Sequence, residues 1–264
     1  MTVLITGASG GLGRALAVEC ASRGYDVVLT DLYQAGLDEI AGGLRRRFGV
    51  KTYTKACDLT NTAEVEALFQ YIDAQDIALS MLLGVAGMDF EGGFMERDCE
   101  KLLGIVRLNI EATLRVTHAA LARRNPLQKF YVVIVSSLAS LYPIPLKATY
   151  AASKRFLLDF SIALRQELKA EGVNVLALCP GGLPTTREAM EGIAAQGLWG
   201  GLTTNSLAKV CKKTVGRVLK GKARYTPGLV NMLLGALGKL VPKTVIARML
   251  HSRWNAAQAQ WMET

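Results

Sequence analysis

Short apolar runs alternate with amphipathic stretches along the first two-thirds of the chain. Val3–Thr6, Asp26–Thr30, Leu79–Val85, Phe130–Ser136 and Val173–Cys179 are nearly continuous apolar runs, as in strands buried on both faces. Lys51–Ala56 is a further extended segment. Between them lie stretches with helical character: Leu12–Arg23, about Ala35 to Phe48, Thr62–Asp73, about Asp98 to Arg124, and Tyr150–Ala170. In Thr62–Asp73, the residues Val65, Leu68, Phe69 and Ile72 share one face. This βαβα order predicts an α/β fold. Right-handed crossovers give a doubly wound, Rossmann-like parallel sheet with helices on both faces.

After Pro180-Gly181-Gly182 the pattern changes. Thr185–Ala195 and Ser206–Leu219 read as helices, and Gly228–Leu240 with Thr244–Trp261 as an amphipathic pair broken at Pro242. The apolar stretch Leu229–Val241 is shorter than the ~20 residues a membrane span needs. The expected organisation is a single domain over residues 1–264. Residues 1–183 form the cofactor-binding and catalytic core, and residues 184–264 a substrate lid and basic helical extension. The segment Glu188–Leu202, with Gly192, Gly197, Gly200 and Gly201, is expected to close over the substrate.

At 264 residues the chain is long enough for one large α/β core. Cys20, Cys57, Cys99, Cys179 and Cys211 are scattered without metal-ligand spacing, which fits reduced thiols. With the first strand opening at Val3, a cytoplasmic location is the expectation. His118 and His251 form no metal motif, and no metal is expected. The net charge of +9 is unevenly placed: residues 205–264 hold eleven Lys or Arg against one acid, Glu263. That region is either a solvated helical face or a surface for an acidic partner: a phosphate-bearing acyl carrier, a carboxylate-bearing substrate, or anionic lipid. No nucleic-acid motif accompanies the charge, and nucleic acid is not an expected partner.

The turn Thr6-Gly7-Ala8-Ser9-Gly10-Gly11-Leu12-Gly13 joins the first strand to the first helix. Glycines there permit a tight turn and close approach of a pyrophosphate to the helix N-terminus. Asp31 ends the second strand, eighteen residues after Gly13. Its carboxylate suits both adenosine ribose hydroxyls and repels a 2′-phosphate. No Lys or Arg occupies Ser9, Gly10, Leu32 or Tyr33, so NAD(H) is favoured over NADP(H). The competing reading has Asp31 capping the following helix. Asp58-Leu59, after the third strand, is placed to meet an adenine edge.

Tyr150 and Lys154 stand four apart on one helix face. A lysine beside a phenol favours the phenolate and brings proton exchange nearer neutral pH. Ser137 closes the Phe130–Val135 run, at the carboxyl end where open α/β sheets keep their ligands. The three suggest proton transfer to or from the oxygen of a bound carbonyl or alcohol.

In order and spacing these motifs resemble the short-chain dehydrogenase/reductase family over residues 2 to about 186. The resemblance rests on the TGxxxGxG turn, Asp31, Asp58-Leu59, Asn109, Ser137, the YxxxK motif Tyr150–Lys154, and Pro180-Gly181 with Thr185. It implies Tyr150 as general acid/base, and Lys154 as the group that lowers its pKa and binds the nicotinamide ribose. Ser137 would orient the substrate oxygen, and Asn109 would hold a water linking Lys154 to solvent. A polar residue satisfying a helix kink is the other reading of Asn109. Cofactor contacts would come from Gly7, Ser9, Gly10, Gly11, Leu12, Gly13, Asp31, Asp58, Leu59, Ala86, Gly87, Tyr150, Lys154, Pro180, Gly181 and Thr185. Substrate contacts would come from Ser137, Tyr142 and Tyr150, with apolar walls from Met88, Phe90, Phe94, Pro143 and Ile144. The spacing to Tyr150 alone selects Ser137 over Ser136.

Two departures are evident, one of them the lack of the C-terminal Val-Asp-Gly-Gly segment typical of the tetrameric oxoacyl reductases. The family's Asn-Asn-Ala-Gly is here Gly84-Val85-Ala86-Gly87, so both amides are missing. The expected activity is hydride transfer between a nicotinamide cofactor and a bulky apolar secondary alcohol or ketone, hydroxysteroid-like or 3-oxoacyl-like. Two alternatives stand beside it: a nucleotide-binding regulatory protein without turnover, and a peripheral-membrane lipid ketone reductase. Self-association as a homodimer or homotetramer is expected through the long helices carrying Asn109 and Tyr150.

Overall fold

A computed structural model describes residues 1–185, 190, 203–237 and 241–262. Seven strands form one sheet: β1 (Thr2–Thr6), β2 (Asp26–Asp31), β3 (Thr52–Ala56), β4 (Met81–Gly84), β5 (Phe130–Val135), β6 (Val173–Leu178) and β7 (Arg224–Tyr225). Their order is β3-β2-β1-β4-β5-β6-β7, and every neighbouring pair is parallel. The direction of winding reverses between β1 and β4, which opens a crevice at the carboxyl ends of those strands.

The described helices are α1 (Gly11–Ser22), α2 (Gln34–Phe48), α3 (Thr62–Ala74), α4 (Cys99–Val106), α5 (Thr113–Ala122), α6 (Ala148–Glu167), α7 (Leu207–Leu219), α8 (Leu229–Leu237) and α9 (Lys243–Met262). Successive strand side chains point to opposite faces. Ile5 therefore joins a core with Leu16 of α1, Leu37 of α2 and Val215 of α7. Its neighbour Leu4 joins a second core with Phe69 of α3, Val116 of α5 and Leu157 of α6. Local signals fix the helix ends. The Asn61 side chain accepts from the Ala63 N–H at the start of α3, and α2 stops at Gly49, whose φ of 69° is left-handed.

Two features depart from the sequence expectation. The helix expected from Asp98 to Arg124 is broken by a π-helical stretch, Arg107–Ala112, centred on the buried Asn109. The edge strand β7 was not foreseen. Two residues pairing with Ala177 and Leu178 are too few to show a period in sequence. Most of the helix expected at Thr185–Ala195, and the glycines Gly192, Gly197, Gly200 and Gly201, lie outside the described residues. No described helix is long and apolar enough to cross a membrane.

Candidate active site

The glycine turn brings three backbone segments into contact. Gly7 has φ +63°, and a Cβ there would stand 2.9 Å from the Ala86 backbone. At Gly13 a Cβ would meet the Gly7 carbonyl oxygen at 2.0 Å, and at Gly11 it would meet the Thr185 carbonyl oxygen at 2.6 Å. Side chains at these three positions would collide with neighbouring backbone, so the glycines let the turn fold tightly over the N-terminus of α1, where free N–H groups suit a pyrophosphate. Ser9, Gly10 and Leu12 complete the turn, with the Gly10 N–H donating to Gly7 O at 3.2 Å.

The missing amides of Gly84 and Val85 have a substitute. The Thr6 hydroxyl accepts from the Val85 N–H at 3.0 Å and from the Ala86 N–H at 3.2 Å, tying the end of β4 to the end of β1.

Asp31 is tied back to the glycine turn. Its Oδ2 accepts from the Ser9 N–H at 2.9 Å and from the Ser9 hydroxyl, while Oδ1 accepts from the Leu32 N–H at 2.8 Å. It does not cap α2, whose N-cap is Tyr33. Among the described residues no ion pair reaches Asp31. Asp58 is engaged locally. Its Oδ1 accepts from the Thr60 N–H at 2.9 Å and the Thr60 hydroxyl at 2.7 Å, and Leu59 is buried in the second core.

The two serines at the end of β5 have different tasks. Ser136 donates its hydroxyl to the Lys154 carbonyl at 2.7 Å, fixing α6 to the strand. Ser137 caps a short 3₁₀ turn, Leu138–Leu141, by accepting from the Ala139 N–H at 3.1 Å. The Ser137 side chain also acts on the Tyr150 phenol, lowering its pKa. Burial pushes that phenol above its ordinary value, and the Ser137 hydroxyl and the nearby Lys147 ammonium pull it back. Lys154 is buried, donates to the Val135 carbonyl at 3.0 Å, and lies 5.7 Å from the Tyr150 ring centroid. Burial lowers its own pKa to about 8. The ammonium groups of Lys154 and Lys147 thus stand at similar distances from the Tyr150 ring, 5.7 and 5.9 Å from its centroid.

Lys147 was missed in the sequence, although its place three residues before Tyr150 on a helix was a usable signal. Its ammonium lies 5.9 Å from the Tyr150 ring centroid, 2.7 Å from Asp89 and 3.1 Å from Glu91.

Asn109 clamps the loop after β4. Its Oδ1 accepts from the Met88 N–H at 2.9 Å, and its Nδ2 donates to Met88 O and to Ser153 Oγ, both at 3.0 Å. Gly87 fits between these groups. A Cβ there would lie 3.0 Å from Asn109 Oδ1 and 3.1 Å from Lys154 Nζ. The π-helical turn aims Asn109 inward at this point.

Pro180 accepts from the Leu138 N–H at 2.7 Å, so the Pro180-Gly181 turn borders the Ser137 segment. The buried Asn231 of α8 lies beside this turn and donates to Thr203 O at 2.9 Å and Pro227 O at 2.8 Å. A Cβ at Gly181 would stand 2.7 Å from Asn231 Nδ2. Tyr142 lines a cavity of about 420 Å³ with Pro143, Ile144, Pro145, and Lys243 and Ala247 of α9. Neither Ser137 nor Tyr150 is in its wall. Phe90 and Phe94, expected as apolar walls, are exposed, and Glu188–Leu202 is described only at Met190. Among the described residues no cluster of His, Cys, Asp or Glu is placed to hold a metal.

A doubly wound sheet with a glycine cradle at its switch point, facing a Ser-Tyr-Lys set, defines an NAD(P)-dependent oxidoreductase acting on a ketone or alcohol. The chain belongs to the short-chain dehydrogenase family, whose description matches residues 1–194. It is 29% identical over 251 residues to the ketoacyl reductase HetN of Nostoc sp., covering 92% of this chain and 86% of that protein. It is 33% identical over 178 residues to a very-long-chain 3-oxoacyl-CoA reductase of Phaeosphaeria nodorum, covering 65% of this chain. The chain spans about half (52%) of the length of that relative. Among solved structures it resembles a short-chain dehydrogenase from Sphingobium yanoikuyae in complex with NADPH, with TM-score 0.78, 29% identity, and coverage of 90% of this chain and 94% of the other. It also resembles the bulky-bulky ketone specific alcohol dehydrogenase of Comamonas testosteroni, with TM-score 0.74, 26% identity, and coverage of 90% and 92%.

Proposed function

We propose that this protein is an NAD(H)-dependent reductase of bulky apolar ketones, with 3-oxoacyl thioesters the favoured substrate class and hydroxysteroids second. The observation that carries the reading is the grouping of Ser137 and Lys154 about Tyr150, with Lys154 and Asn109 meeting at Gly87 beyond the carboxyl end of β4. The acyl preference draws support from the ketoacyl and 3-oxoacyl-CoA reductase relatives, and the bulk of the substrate from the Comamonas neighbour.

The nicotinamide cofactor supplies the hydride when bound. The tight Gly7–Gly13 turn would present the N-terminus of α1 to its pyrophosphate, and Asp31 would receive its adenosine ribose. Lys154 holds the second ribose, and Pro180, Gly181 and Thr185 border the nicotinamide. Ser137 orients the substrate oxygen. Tyr150 gives its phenolic proton to that oxygen in reduction and takes it back in oxidation. Its raised pKa keeps the proton in place at neutral pH, which suits the reducing direction. Lys154, with a pKa near 8, and Asn109 beside it return a proton toward solvent.

The cofactor preference rests on Asp31. A 2′-phosphate would meet its carboxylate with no ion-paired cation among the described residues to offset the repulsion. The test is a panel of 3-oxoacyl thioesters, steroid ketones and bulky aryl ketones, each assayed with NADH and NADPH in parallel. Faster oxidation of NADH on a 3-oxoacyl thioester is expected. NADPH preference would overturn the Asp31 argument. Nucleotide binding without turnover of any ketone would favour a non-catalytic binding protein.

A further inference from the structure

Two helices of the C-terminal extension each carry an exposed apolar face. On α8, Leu229, Met232 and Leu233 stand at helical spacing and are 73%, 54% and 55% exposed. On α9, Val245 and Met249 lie four apart and are 44% and 62% exposed. Other positions of both helices already pack on the domain. A Cβ at Gly235 of α8 would stand 2.8 Å from Leu141, and Ala247 of α9 lines the Tyr142 cavity. The exposed residues are therefore not the faces that hold the helices to the core.

The charge around these faces has one sign. No Asp or Glu occurs from Gly192 to Met262, while Lys243, Arg248 and Arg253 punctuate α9. Lys243 and Arg248 are exposed. An apolar helix face flanked by cations and free of acids fits a helix lying in a lipid interface. An anionic bilayer offers the complementary charge. A second copy of this chain, itself carrying net +9, would bring cation against cation.

We infer that α8 and α9 form a docking surface for anionic lipid. Leu229, Met232, Leu233, Val245 and Met249 enter the headgroup boundary, and Lys243 and Arg248 meet lipid phosphates. This surface stands independently of the reductase reading.

The test is co-sedimentation of the full chain with phosphatidylcholine vesicles, and with vesicles of phosphatidylcholine and phosphatidylglycerol in equal parts. Pelleting with the mixed vesicles alone is expected, weakening as salt rises. Leu233→Asp with Met249→Asp lowers the bound-to-free ratio by about tenfold or more. Lys243→Glu with Arg248→Glu lowers it by about tenfold. The second pair alters only exposed charges and carries the test if the first pair fails to fold. Absence of binding to the mixed vesicles overturns the inference, as does binding unchanged by the charge-reversed pair. A Leu233→Asp/Met249→Asp protein that loses self-association but keeps vesicle binding also overturns it, and assigns the face to a second copy.

Discussion

The Lys147 ammonium stands 5.9 Å from the centroid of the Tyr150 ring, at the N-cap of the helix that carries the tyrosine. Burial works against its charge, but Asp89 and Glu91 more than offset this and raise its pKa. Lys147 lowers the Tyr150 phenol while Asp89 raises it, so one ion pair pulls the tyrosine both ways.

Lys147→Gln removes the cation and leaves the two acids, so the phenol pKa rises. The alcohol-oxidation limb of the pH–rate profile then moves to higher pH, because Tyr150 must lose its proton to act as base. Asp89→Asn moves that limb the other way. Profiles of kcat for the three proteins check both signs. Superimposable profiles would rule out this electrostatic coupling.

Thr6→Val keeps shape and removes the hydroxyl that accepts two N–H groups from Val85 and Ala86. The expected loss is about 1–3 kcal/mol of unfolding free energy. Thr6→Ser, which restores the acceptor, recovers most of it. Urea denaturation of the three proteins gives the comparison. A valine variant as stable as wild type would mean that these N–H groups find another acceptor.

Lys154 sets a pH dependence of stability. Its pKa falls from 10.5 to about 8 on folding, because burial disfavours the ammonium. Between those values the unfolded chain binds more protons, so stability rises with pH. The contribution is fully present above about 10.5 and is lost as pH falls through about 8. Lys154→Met removes this slope. From pH ~7.5 to ~10, the wild type gains on the variant by an amount on the order of 2–3 kcal/mol. Chemical denaturation of the cofactor-free proteins at both pH values measures it. Parallel stability changes would show that Lys154 titrates alike in both states.

The core of the fold was legible because its strands are buried on both faces. Runs such as Phe130–Val135 have no polar phase to obscure them, and the Val65-Leu68-Phe69-Ile72 stripe reads directly as one helix face. The glycine cradle was legible for a steric reason, since Gly13 has no room for a Cβ. The illegible parts depend on tertiary contact. Thr6 reaches Val85 across 79 positions of sequence, and nothing near either residue signals the bond. Ser136 and Ser137 differ in sequence only by their spacing to Tyr150, and the bond that ties Ser136 to Lys154 O appears only once α6 packs on β5. The π-helical turn at Asn109 interrupts a stretch whose sequence pattern reads as uninterrupted helix.

The central claim is that Tyr150 moves the proton while Ser137 and Lys154 set its surroundings. The most direct measurement is single-turnover reduction of a bulky 3-oxoacyl thioester by wild type and Tyr150→Phe, with the NADH Kd determined on the same preparations. The account predicts a fall in the reduction rate of about a hundredfold to ten-thousandfold. The NADH Kd stays within about threefold of wild type, as for a group acting in the transition state rather than in uniform binding. A phenylalanine variant that reduces the ketone at near wild-type rate would contradict the account.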